Sequence, residues 1–446
     1  MYSRGRCFML AEIVAVALAL SPGASRAREP DGSMGARGRS AERGEEDGSR
    51  RCRDDDRGCC DFEDRDFFVS HVSTLPANEG QEVKLFVRER GNRCGPPVLM
   101  LGGTTQPALV TFDLPYQDYS WMTYLAKAGF DVFTMELQGY GRSTRPDVME
   151  DPCNATTTVQ ATLLTPNPLK TPCPVIPSVY PYPFLLNNNQ SEWDQIDSVV
   201  DHIRAARHRE RVSLVGWSYG GPRAGGYASR HPEKVERLFL YAPWYLRGDP
   251  DSLPVPLPGN PLTVSTVSAF FARWNTQATC PDQFDPGVRT QLTASLLQLD
   301  PLAATWGSQP LWRSPSFVQD SSHEFGWNSA AAARIRRPVL LIRGDNDVQV
   351  PIKLVTDLLS DLSSESKVFV HVACGAHQLV WDRQHIRLLD ASVEWLRDGR
   401  YHGERNGCFA VDVNGIATPD PNVASACSSR AGDGDGAGED PVAGGD

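Results

Sequence analysis

Val212-Ser213-Leu214-Val215-Gly216-Trp217-Ser218-Tyr219-Gly220-Gly221 is the stretch from which the fold can be read. Residues 212–215 are a short apolar run, the length of a buried strand, and 220–230 reads as a helix stopped by His231-Pro232. Between them, Gly216-x-Ser218-x-Gly220 has the spacing of a nucleophile elbow. A serine there sits in a strained turn, and small residues two positions to either side let the strand and helix backbones pass closely. The turn lifts the hydroxyl clear of the sheet, and the helix start behind it offers N–H groups to a developing oxyanion. A bare GxSxG recurs by chance, as an ordinary tight turn carrying a surface serine. The strand before, the helix after and the doubled glycine make this one specific.

Working outward, 67–74 and 82–88 read as two strands rich in Val and Phe, paired as an antiparallel edge. Residues 98–101 are a buried strand left by the loop Gly102-Gly103-Thr104-Thr105, and a helix at 119–128 closes on Gly129. Strand 131–135 runs into Glu136-Leu137-Gln138-Gly139-Tyr140-Gly141-Arg142-Ser143. Helix 192–207 feeds the elbow strand, and strands follow at 235–241, 339–342 and 367–372, with a last helix at 384–396. Strands alternating with helices predict an α/β protein whose mostly parallel sheet is covered by helices on both faces.

Two irregular stretches, 144–189 and 244–337, are too long for plain connections and read as insertions over the active-site face. The second has helical pieces at 264–274 and 286–298. No internal repeat is present.

The folded domain is expected at 67–400. Arg4 and Arg6 precede an apolar run over 8–20 and the small residues Gly23, Ala24, Ser25 and Ala27, so 1–27 reads as an export signal too short to span a bilayer. Residues 28–66 form a leader, dense in charge and glycine as far as 61, with little to bury; the tail 428–446 is similar. Residues 401–427 are a C-terminal extension. A net charge of −11 over 446 residues favours neither nucleic acid nor an anionic membrane as partner. No other stretch suits stable membrane insertion.

Of the eleven cysteines, Cys7 leaves with the signal, and ten remain for an oxidising compartment. Cys153 and Cys173 flank the first insertion and Cys408 and Cys427 bracket the extension, which makes two expected pairs. Cys52, Cys59, Cys60, Cys94, Cys280 and Cys374 stay unassigned. No cysteine or histidine grouping has metal-binding spacing, and the chemistry calls for no cofactor. Asn154-Ala155-Thr156 and Asn189-Gln190-Ser191 are sequons for N-glycosylation.

A serine hydroxyl is nearly inert at neutral pH, so a base must take its proton, and that base is usually a histidine supported by a buried carboxylate. In a parallel sheet these partners come from loops at the carboxyl ends of strands. Two loops qualify: Arg343-Gly344-Asp345-Asn346-Asp347-Val348-Gln349-Val350-Pro351, and Ala373-Cys374-Gly375-Ala376-His377.

On these residues the chain resembles the α/β-hydrolase fold family over roughly 67–396. The order Ser218, Asp, His377 is that family's order. The resemblance implies an acid three residues after a strand-end glycine and shortly before Val-Pro, which selects Asp347 over its rival Asp345. His371 lies within its strand and reads as a packed histidine. The family's oxyanion hole implies the backbone amide of Tyr219 together with one from Gly103 or Thr104, in a loop where the family often has His-Gly. The run 136–143 matches the family's Asp-x-x-Gly-x-Gly-x-Ser except for its leading Glu, and reads as scaffold.

Trp217, Trp244 and Trp381, with the other aromatics of the insertions, imply a pocket for a small to medium apolar molecule. Aromatics that only pack the insertions would look the same. The expectation is a secreted serine hydrolase of the esterase or lactonase kind, taking a small-molecule ester or lactone. An exopeptidase or amidase, a lyase using the triad for acid–base work, and a non-catalytic binding protein are the other readings.

Overall fold

The computed structural model describes residues 62–162, 173, 181–307, 309–316, 324–423 and 426–427. The expected export signal, nearly all of the leader, the 428–446 tail and Tyr180 lie outside them.

Twelve strands are present among the described residues: β1 Phe62–Val72, β2 Glu82–Asn92, β3 Pro97–Leu101, β4 Asp131–Met135, β5 Val212–Trp217, β6 Val235–Tyr241, β7 Leu262–Thr266, β8 Leu311–Pro315, β9 Val339–Gly344, β10 Lys367–Val372, β11 Gly407–Val411 and β12 Ala417–Pro419. Ten form one sheet in the order β1-β2-β4-β3-β5-β6-β9-β10-β11-β12, and β7 pairs with β8 as a separate hairpin. From β4 to β11 every pairing is parallel; β1, β2 and β12 join antiparallel at the ends.

The folded chain starts earlier than the expected 67, because β1 runs in register with β2 from Phe62 against Asn92. The 401–427 extension also enlarges the sheet through β11 and β12, which was not legible because neither strand has a long apolar run.

Side chains alternate across the parallel strands. Leu99, Leu101, Leu214 and Leu341 enter one core, while Val98, Met100, Val215, Leu340 and Ile342 enter the other. The first core is closed by helices α4 (Asn189–Arg207), α5 (Tyr227–Arg230), α8 (Ser329–Ala332) and α9 (Ile352–Asp361). The second is closed by α1 (Ala108–Phe112), α2 (Trp121–Lys127) and α10 (His385–Asp398). Among the described residues no helix is long and apolar enough to cross a membrane.

The insertions build a cap. In the first, the short helix α3 (Thr157–Thr162) lies near the Cys153–Cys173 disulfide. In the second, α6 is Val267–Asn275 and α7 is Pro286–Gln298. The expected helix at 264–274 starts three residues late. Leu262–Thr266 instead pairs with Leu311–Pro315, and Thr266 caps α6 by accepting from the Ala269 amide. Cap aromatics Phe270, Trp274 and Trp312 belong to the second core rather than to an independent one.

Both sequon asparagines are buried with their amides engaged. Asn154 Nδ2 donates to Val148 O, and Asn189 Nδ2 donates to Phe325 O.

Candidate active site

Ser218 leaves β5 with φ +58°, a left-handed conformation that costs a non-glycine residue roughly 1–3 kcal/mol. The surroundings hold it there. Its N–H donates to Tyr241 O at 2.9 Å, and its carbonyl accepts from Gly221 N and Trp244 N, both at 2.9 Å. A Cβ on Gly216 would lie 2.2 Å from Gly220 O, so no other residue fits the crossing of strand and helix. The expected helix follows, but its first turns are a π-helical segment, Pro222–Gly226, before α5.

His377 and Asp347 come from the loops after β10 and β9. His377 Nε2 is 3.0 Å from Ser218 Oγ, and His377 Nδ1 is 2.9 Å from Asp347 Oδ2. A carboxylate can only accept there, so Nδ1 carries the proton and Nε2 is left to accept from the serine hydroxyl. Asp347 and His377 are 3% and 5% exposed. Asp347 Oδ1 accepts from the amides of Gln349 and Val350, each at 2.9 Å, and its carbonyl accepts from Arg343 Nη2. Asp345 turns the other way and lies 2.8 Å from His371 Nε2. The structure therefore brings Ser218, His377 and Asp347 together and leaves Asp345 and His371 apart from them.

The histidine loop is fastened from below and above. Trp217 Nε1 and the Tyr241 hydroxyl both donate to His377 O. From the cap, Gln277 Oε1 accepts from His377 N at 3.0 Å and from Val348 N at 3.3 Å, so one side chain bridges the two loops. Cys280 and Cys374 form a disulfide between the cap segment and the same loop. Asp382 accepts from Ala376 N, Trp274 Nε1 and Gln283 Nε2, and burial pushes its carboxyl up to about 7. Nothing local in the sequence marks Gln277 or pairs Cys280 with Cys374; the contacts join segments about a hundred residues apart.

A second device lies under the loop 102–104. Arg223 Nη1 donates to Gly102 O at 2.7 Å and Gly103 O at 2.6 Å, while Glu192 holds the guanidinium through Nε and Nη2. Burial works against the charge of Arg223, but the Glu192 carboxylate more than offsets it and keeps the group protonated. In a trans peptide the N–H points away from the C=O. Holding those two carbonyls thus aims the amides of Gly103 and Thr104 away from Arg223. Among the described residues neither amide donates to a protein acceptor. A Cβ on Gly103 would come 3.0 Å from Ser218 Cβ, which shows how closely this loop passes the serine. Tyr219 follows Ser218 directly, and its ring is tied down by a hydroxyl donating to Asn189 Oδ1.

The cleft at Ser218 is narrow, about 30 Å³, and lined by Gly103, Thr104, Thr105, Gln106, Trp217, Phe270, Arg273, Gln349, His377 and Gln378. This differs from the apolar pocket expected from the sequence. Of the three tryptophans, Trp217 lines the cleft. Trp381 is wholly buried in the second core against Trp217, Phe270 and Trp274, and Trp244 donates to Glu324. Tyr182 and Phe184 pack on each other beside Pro258 rather than at the cleft. A larger cavity of about 750 Å³ opens beside β2 and α2, lined by Arg88, Asp113, Tyr116 and Arg142 among others, and holds none of Ser218, His377 or Asp347.

A family profile described as alpha/beta hydrolase fold matches residues 96–384. Over 113 residues the chain is 29% identical to the Abhydrolase domain-containing protein abhd-5.2 of Caenorhabditis elegans, a stretch covering 25% of this chain and 17% of that relative. Among solved structures it is similar to a thermophilic esterase from Thermogutta terrifontis, at 16% identity and a TM-score of 0.44 over 74% of this chain and 98% of that one. It is also similar to the meta-cleavage product hydrolase from Pseudomonas fluorescens IP01, at 16% identity and a TM-score of 0.46 over 74% and 98%.

Proposed function

We propose that this chain, which belongs to the alpha/beta hydrolase fold family, cleaves a carboxylic ester or lactone of a small molecule through an acyl-enzyme on Ser218. The carrying observation is the continuous hydrogen-bonded line from Ser218 through His377 to Asp347. In this reading His377 Nε2 takes the proton of Ser218 as its oxygen attacks the carbonyl carbon, and Asp347 holds the imidazole in the required tautomer and steadies the imidazolium. His377 then gives that proton to the departing oxygen, and a water repeats the sequence in reverse to release the acid. The amide of Tyr219 and those of Gly103 and Thr104 receive the oxyanion. Donors aimed beside the serine support acyl transfer over a lyase reaction, which forms no tetrahedral oxyanion. Three disulfides, Cys153–Cys173, Cys280–Cys374 and Cys408–Cys427, support a secreted protein.

The test is labelling and turnover. A fluorophosphonate should modify Ser218, and Ser218→Ala should lose ester hydrolysis by about 10⁴-fold or more while staying folded. A panel of esters, lactones and aminoacyl amides then ranks the substrates. Labelling that persists in Ser218→Ala would refute the assignment.

A further inference from the structure

The cleft holds two donors with no acceptor. Arg273, on α6, lines it beside Phe270 and is exposed, and among the described residues its guanidinium makes no ion pair, hydrogen bond or ring contact. Arginines elsewhere in the fold are paired with carboxylates: Arg223 with Glu192, Arg313 with Asp300, and Arg207 with Asp131 and Glu89. Gln349 also lines the cleft, and its Nε2, buried in this conformation, has no partner among the described residues. Turned toward the cleft, this amide would place a second donor beside the guanidinium. No carboxylate lines the cleft, and no other lining residue has a fixed charge.

We infer that Arg273 and Gln349 form a carboxylate subsite, and that the substrate is a short half-ester carrying a free carboxylate on the part held in the cleft. A guanidinium presents a planar fork that matches a carboxylate. One cation balances one negative charge, which suits a carboxylate and falls short for a phosphate dianion. The inference rests on the cleft at Ser218 being the substrate site, as proposed above. It also accounts for the polar share of a cleft whose apolar rings are Trp217 and Phe270: most other aromatics of the cap fill the cores.

Two p-nitrophenyl esters of equal acyl length isolate the carboxylate: the glutarate half-ester and the pentanoate. The wild-type protein should favour the glutarate ester in kcat/KM by about ten-fold or more, the usual scale of a charge-assisted hydrogen bond. Arg273→Gln should cut that ratio by about ten-fold, Arg273→Lys should cut it less, and Gln349→Leu should lower it severalfold. A ratio near one in the wild type, or a ratio that survives Arg273→Gln, overturns the subsite and leaves the hydrolase reading standing. Binding is read separately, by titrating Ser218→Ala with monomethyl glutarate and following tryptophan fluorescence, since Trp217 lines the cleft. Saturable binding lost in Ser218→Ala/Arg273→Gln supports the subsite even if neither ester is turned over, which would instead sink the proposed reaction. Binding indifferent to Arg273 overturns it.

Discussion

Two aspartates two residues apart have opposite fates, and the difference is set by a single turn. Asp347 N bonds back to Gly344 O, which swings the Asp347 carboxylate inward to His377. Asp345 points toward His371 on the outer part of the sheet, where it is exposed. Replacing Asp347 with Asn leaves an amide that cannot hold Nδ1–H in the same way, so kcat should fall by about 10⁴-fold. Asp345→Asn should cost less than about three-fold. Steady-state kinetics on both purified variants decides the matter, and the reverse order would make Asp345 the acid. The choice of Asp347 from the sequence rested on the family resemblance, and the structure places that residue, not Asp345, against His377.

At the scale of elements, the π-helical segment after the elbow matters as much as the elbow itself. It carries Arg223 to the underside of the 102–104 loop, with Glu192 of α4 behind it. Arg223→Gln keeps a donor but loses the two-pronged hold, and Glu192→Gln loses the charge that orients it. Each should lower kcat by about 10–100-fold with KM changed little, because aimed amides act on the transition state more than on bound substrate. A KM effect with kcat intact would mean that the pair only supports the binding wall. The sequence exposed the elbow, its strand and the helix feeding it, since apolar period and glycine spacing are local signals. It was silent on Arg223, which reads as one more polar residue on a helix. It was equally silent on Gln277, and it read the end of β7 as helix, because the partner β8 lies some fifty residues away. The strand limits at 131–135, 235–241 and 367–372 came out as read, because each is a short run rich in Val, Leu and Phe within the sheet.

For the whole molecule, buried carboxyls bear on how stability responds to pH; burial raises the carboxyls of Asp131 and Asp249 as well as those of Glu136 and Asp382. Burial pushes Glu136, which caps α1 by accepting from the Ala108 and Leu109 amides, up to about 7, and does the same to Asp382. Between about pH 4 and 7 the folded protein therefore keeps protons that the unfolded chain releases. The stability this contributes is fully present at the acid end and lost as pH rises through 7. His71, His202 and His385, whose pKa burial lowers, act in the opposite sense, so the readout is the difference: relative to wild type, the Glu136→Gln/Asp382→Asn variant should lose less melting temperature between pH 5 and pH 8. Thermal scans across that window check it; an unchanged slope in the double variant removes these groups as the cause.

The grip of the cap on the histidine loop also bears on how such a protein can be altered. Gln277 aligns His377, and Cys280 is joined to Cys374, while Arg273 sits one helical turn away on the same segment. On the proposed reading, selectivity and reactivity are thus inherited together. Recombination that exchanged 262–316 for the corresponding piece of another sequence would discard the alignment of the base along with the old preference. A new preference is better sought by single replacements at the cleft, such as Arg273 or Gln349, made with Gln277 and Cys280 left in place.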